Sequence, residues 1–171
     1  VTALALDIAT RTGWAFGDPA RAAPLWPRPL ASAPLAFGVF VLPGDAGEGR
    51  TFALFADWLG ARLSERRTER IAIEAPFIHP DNASQPMTRR LFGLRAMALV
   101  IAHRAGIPVV ELAPSSVKKR FAGKGNAEKL AVIEENWRRG YAPNDDNEAD
   151  AIALWHAAFA PERAAAAKAA A

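Results

Sequence analysis

The sequence predicts an α/β domain built on a mixed five-stranded sheet flanked by helices. Three observations carry this expectation. Short apolar runs at residues 2–7, 14–17, 35–42, 70–74 and 107–112 read as strands. Stretches with apolar residues at helical spacing separate the later strands and close the chain. The order is three strands, helix, strand, helix, strand, then helices, which joins a hairpin start to the alternation typical of parallel pairs.

The elements follow in order. Residues 2–7 (TALALD) alternate and end in an acid. Thr12-Gly13 marks a turn, and Trp14 to Gly17 resumes strand character. Residues 18–34 hold Pro19, Pro24, Pro27, Pro29 and Pro34 and read as a loop or an insertion in a hairpin. Residues 35–42 (LAFGVFVL) form a strand closed by Pro43-Gly44, and Thr51 is expected to cap the helix FALFADWLGARLSER. Residues 70–74 (RIAIE) repeat the pattern of an apolar run ending in an acid. Residues 87–105 are helical in period and end at Gly106, and residues 107–112 (IPVVEL) read as the last strand. Pro114 opens a helix at its first turn, Gly123 and Gly125 break it, and 126–139 and 145–159 are two further helices. Residues 1–160 are expected to form one domain, and the Ala-rich tail 161–171 to be disordered.

Composition narrows the chemistry. The 171 residues suffice for one sizeable core. Cysteine is absent, and His79, His103 and His156 share no metal-ligand spacing, so any metal must be held mainly by oxygen. That points to magnesium or manganese. No apolar stretch of about eighteen residues exists, so no membrane span is expected. The start, VTALALDIAT, has no basic region and reads as a first strand, not a signal peptide. The net charge is +3, with basic clusters at Arg62–Arg70, Arg89–Arg95 and Lys118–Lys129. The first reads as a solvated helix face, and a mildly basic chain attracts phosphate backbones.

The acids are more informative. Asp7 and Glu74 each end a strand, and in α/β sheets ligands bind at the carboxyl ends of strands. If the two strands are parallel neighbours, the carboxylates lie side by side and require a cation or a proton between them. A third acid comes from DDNEADAIALWHA. Asp145 suits an N-cap. Asp150 lies deeper, within the apolar series Ala149, Ile152, Ala153, where a carboxylate needs a cation. Three converging carboxylates suit a two-magnesium site for phosphodiester hydrolysis, with manganese as a substitute. Asp146 and Asn147 are further candidate ligands on the same helix.

The segment ELAPSSVKKRFAGKGNAEKLAVIE adds Lys118, Lys119, Lys124 and Lys129 around a Gly-x-Gly turn. Lysines so placed can neutralise a phosphate and the charge that develops on it. With Pro114, Val117-Lys118, Gly123-x-Gly125 and Ala127-Glu128-Lys129, this segment resembles the RuvC family of Holliday junction resolvases, particularly its phage-type members. LALDIATRTGWAFG, IAIEAPF and DNEADAIAL resemble the family's acidic motifs in the same order, and the likeness spans residues 3–155. Two departures stand out. The spacing from Asp7 to Thr12-Gly13 is one residue short of the bacterial pattern. Asn147 stands where the family usually has an acid or histidine, which leaves either Asn147 or Asp146 to complete the metal shell.

The resemblance implies an RNase H-like fold, a homodimer, and magnesium-dependent paired nicking of four-way junctions in the cytoplasm of a bacterium, host- or phage-encoded. It implies catalytic roles for Asp7, Glu74, Asp150, Lys118 and Lys129. Phe77 would match an aromatic that stacks on opened bases. Arg89, Arg90 and Arg95, with Lys119 and Lys124, would contact DNA phosphates. His79 reads as a surface loop residue. The helix over 87–105 carries more apolar residues than one buried face needs, which suits either a dimer interface or burial between neighbours. The family tips this toward a dimer. Two other readings of the function remain: a nuclease of broader branched-DNA preference, for forks and flaps, and a junction-binding protein with a weak metal site. A kinase-like phosphotransferase would need a second domain and a second phosphate loop, and neither is visible.

Overall fold

The computed structural model describes residues 2–21, 35–77 and 84–160. Expectations for the 161–171 tail, for His79 and for most of the proline-rich stretch lie outside those residues. The five strands are β1 (Thr2–Asp7), β2 (Arg11–Gly17), β3 (Ala36–Val41), β4 (Thr68–Glu74) and β5 (Val109–Leu112). The helices are α1 (Glu48–Glu65), α2 (Gln85–Arg104), α3 (Pro114–Ala122), α4 (Lys129–Arg138) and α5 (Asp146–Phe159). The sheet order is β3-β2-β1-β4-β5. The first three strands form an antiparallel meander, and β1, β4 and β5 run parallel. The mixed five-stranded sheet is therefore the one the sequence predicts.

Side-chain size decides which helix lies on which face. Alternate strand residues point to opposite faces. In β1, Leu4 and Leu6 point one way and Ala3 and Ala5 the other; in β4, Ile71 and Ile73 oppose Ala72. The large residues join Phe55 and Leu59 of α1 and Leu94, Ala98 and Ala102 of α2 in one core. The alanines, with Ala15, join α3, α4 and α5 in a second core. Short side chains bring α5 close to the sheet. Residues 151–157 of α5 are all buried, and Trp155 donates its indole N–H to the Ala3 carbonyl at 3.0 Å. Buried Asn136 ties α4 to α5 by donating to the Val132 and Ala149 carbonyls.

Two local expectations are corrected. Thr12 and Gly13 lie inside β2, and the turn falls at residues 8–10. The Thr12 hydroxyl donates to the Ala9 carbonyl at 2.7 Å and closes that turn from the strand side. Thr51 does not cap α1: the N-cap is Gly47, one turn earlier, and buried Thr51 donates its hydroxyl to the Ala46 carbonyl. Other ends behave as read. Pro114 starts α3, and Gly123 ends it at φ 86°, a conformation glycine adopts without strain.

A candidate metal-dependent active site

Asp7 and Glu74 come together because of strand register. Leu6 pairs with Ile73 in the parallel β1–β4 ladder, so the next residue of each strand is an acid. Asp7 continues the Ala3, Ala5 series and Glu74 follows Ala72, so both carboxylates point to the α5 side. Asp150 meets them there. Asp145 caps α5 by accepting the Glu148 N–H at 3.0 Å, and the helix then carries Asp150 one turn inward. The three acids line one pocket of about 600 Å³ together with Lys118 from α3 and Lys129 from α4.

The electrostatics record how close these groups are. Burial, then Asp7 and Asp150, push the Glu74 carboxyl up to about 8, against Lys118. Burial, then Asp150 and Asp146, push Asp7 up to about 7, against Lys129. Burial and then Asp146 push Asp150 up to about 6, against Lys129 and Lys118. The protein's own cations thus oppose the shifts without cancelling them, and the pocket is short of positive charge. A donor set of carboxylate oxygens with that deficit fits a hard divalent cation. Among the described residues no group of three or more acidic or histidine side chains is arranged to hold a metal ion. Water and substrate oxygens would supply the remaining ligands, as magnesium prefers.

Asp146 and Asn147 have other employment. Asp146 accepts a hydrogen bond from the Lys129 ammonium, which raises the lysine's pKa and lowers the acid's. It therefore faces the pocket from its rim. Asn147 does not reach the pocket. Its side chain hydrogen-bonds the Asp145 carboxylate. Burial raises Asp145's pKa, but Glu148, Arg11 and Asn147 outweigh that and lower it. Sequence alone could not settle this, because the direction of one side chain in a first helical turn depends on its neighbours.

The proposed DNA contacts are spread around the pocket. Phe77 is 71% exposed and stands at its mouth, and Arg90 lines it while donating to the Ala46 carbonyl. Arg89 pairs with Glu48 at 3.2 Å. Lys119 and Lys124 are exposed but lie outside the pocket lining. Arg95 is bound to Glu111 of β5 at 2.6 Å and braces α2 against the sheet edge. Sequence reasoning missed that the apolar residues Ile8, Pro76, Met87 and Leu91 line the same pocket as the acids. It also missed the Arg11–Asp145 pair, 2.9 Å apart in space and 134 residues apart in sequence, which no local pattern signals.

The chain is similar to known proteins in sequence and in fold. No family model matches the chain. It is 37% identical over 119 residues to the crossover junction endodeoxyribonuclease RuvC of Anaeromyxobacter dehalogenans, covering 68% of this chain and 62% of that relative. The chain thus spans less than two thirds of that relative's length. It is 34% identical over 124 residues to the RuvC of Halorhodospira halophila, covering 70% of this chain and 72% of the relative. Among solved structures, Thermus thermophilus RuvC in complex with a Holliday junction substrate superposes with a TM-score of 0.76 at 22% identity, over 92% of this chain and 93% of that one. The superposition shows the RNase H-like fold that the motifs imply, and the sequence matches place the chain in the RuvC family of crossover junction endodeoxyribonucleases.

Proposed function

We propose that the chain is a metal-dependent endonuclease that nicks four-way DNA junctions. One observation carries the proposal: carboxylates from β1, β4 and α5 share a pocket with Lys118 and Lys129, beside an exposed aromatic. Magnesium, or manganese in its place, held by Asp7, Glu74 and Asp150, would activate water and stabilise the leaving oxygen of the phosphodiester. The chain's own groups do the rest. Lys118 and Lys129 neutralise the phosphate under attack. Asp146 keeps the Lys129 ammonium at the pocket rim until a phosphate competes for it. Phe77 offers its face to a base opened at the branch. Arg89, Arg90, Lys119 and Lys124 hold the flanking backbone.

The same reading includes a homodimer working on DNA in a bacterial cytoplasm, host- or phage-encoded. The outer face of α2 supports the dimer, since Phe92 and Val100 are 47% and 43% exposed two helical turns apart. Among the described residues no helix is long and apolar enough to cross a membrane.

Cleavage of four-way junctions, Y-forks and plain duplex in Mg²⁺ tests the proposal. The expected order puts the junction well ahead, and Asp7→Asn should reduce its cleavage by at least about 10³-fold while leaving binding in place. Equal rates on junction and fork, with plain duplex well behind, would replace the resolvase by a general branched-DNA nuclease, and equal rates on all three would remove structure selectivity altogether. Binding without nicking in either Mg²⁺ or Mn²⁺ would leave only a junction-binding protein, the reading that the position of Asn147 favours.

A further inference from the structure

We infer that the consecutive β2 residues Arg11, Thr12 and Gly13 set the geometry of the carboxylate site without entering it. This rests on the metal-site reading above and deepens it. Gly13 pairs directly with Asp7 in the antiparallel β1–β2 ladder. Side chains of directly paired residues point to the same face, so a side chain at position 13 would stand beside the Asp7 carboxylate, under α5. That space is already filled by the helix. A Cβ at position 13 would lie 2.1 Å from the Asn147 carbonyl oxygen, 2.8 Å from its carbon and 3.2 Å from the Ala151 Cβ. The obstacle is helix backbone, which cannot turn aside as a side chain can. Ordinary contact would require α5 to retreat by about 1 Å, and Asp150 would retreat with it.

The neighbours of Gly13 fix the same geometry from two other directions. Thr12 is fully buried, and its hydroxyl both donates to the Ala9 carbonyl and accepts the Ala9 N–H. It thereby closes the turn of Ile8, Ala9 and Thr10 that follows Asp7 and lines the pocket. Arg11 binds the Asp145 carboxylate at 2.9 Å, and Asp145 is the N-cap from which α5 starts. One residue seats the helix, one holds the loop after the first carboxylate, and one anchors the cap before the third. These are positioning residues.

Gly13→Ala is the direct test, read on the metal-free full chain and on its activity. Mn²⁺ binding by calorimetry should weaken at least about tenfold. The kcat for junction cleavage should fall about 100-fold, with junction affinity within about twofold of the unmutated protein's. A purely structural glycine would lower the melting temperature yet leave the folded fraction with full Mn²⁺ affinity and full kcat, and that result overturns the inference. If Gly13→Ala does not fold, Thr12→Val and Thr12→Ser decide. The valine should lower kcat and Mn²⁺ affinity without changing KM, and the serine should restore both. Equal values in valine and serine variants overturn the inference. If the unmutated protein cleaves no branched DNA, the proposed function fails, and Mn²⁺ affinities alone judge the positioning role.

Discussion

A carboxyl group that leaves water for a pocket already holding two others gives up its proton late, as Asp7, Glu74 and Asp150 do. They titrate near pH 7, 8 and 6 in the fold, against about 4 in an unfolded chain. The folded protein thus holds protons the unfolded chain has released, so stability falls as pH rises from about 4 through about 8. His156 acts oppositely: burial, then Arg139, push it down to about 3, so its effect is a gain in stability as pH rises to about 6.5. Between about pH 6.5 and 8.5 the carboxylates decide the slope. The metal-free protein should therefore melt lower at pH 8.5 than at pH 6.5, by at least about 2 °C. Asp150→Asn should flatten the slope and raise the melting point at pH 8.5, and Mg²⁺ should do the same for the unmutated chain. A midpoint that ignores pH and metal would show that the acids are not forced together. At this scale the sequence was informative wherever a residue broke a pattern. Asp7 and Glu74 end apolar strands and Asp150 interrupts an apolar helix face. Asn147 breaks no pattern, and its turn toward Asp145 was illegible.

Among the elements, β1 and β4 were readable because their apolar runs are short and bounded, and α5 because Asp145 caps it. The error in β2 has a physical source. Thr and Gly together signal a turn from composition, but here Gly13 answers to the helix above it, a contact far outside any local window, and Thr12 closes the turn just before it from within the strand. Size alternation within β1 was likewise visible as letters, but its meaning depends on which helix covers which face. It yields a test. Ala5 is fully buried beneath α5, and Ala5→Leu should destabilise the fold by about 1–3 kcal/mol through overpacking. It should also cost cleavage, because it lifts the helix that carries Asp150. Denaturant melts and junction cleavage check the pair of effects, and a stable variant with full activity would refute the close seating of α5.

For the whole molecule, the fold class followed from element order alone, whereas the assembly did not. The surplus of apolar residues in α2 was visible, but only the fold separates buried Leu94, Ala98 and Ala102 from exposed Phe92 and Val100. If the exposed pair forms the twofold contact, Phe92→Glu should convert a dimer to a monomer on a sizing column. The monomer should keep its fold and its metal site while losing paired nicking. A monomeric unmutated protein would remove α2 from the interface.

The division of β1 into a leucine face and an alanine face also bears on how this protein tolerates change over generations. Leucines packed under α1 and α2 can drift among aliphatic neighbours of similar volume, since such exchanges usually cost less than about 1.5 kcal/mol. The alanine side has no such latitude, because any larger residue raises α5 and any polar one is stranded beneath it. A saturation library should therefore show β1 alternating between permissive and intolerant positions, out of step with hydrophobicity and in step with the distance to Asp150.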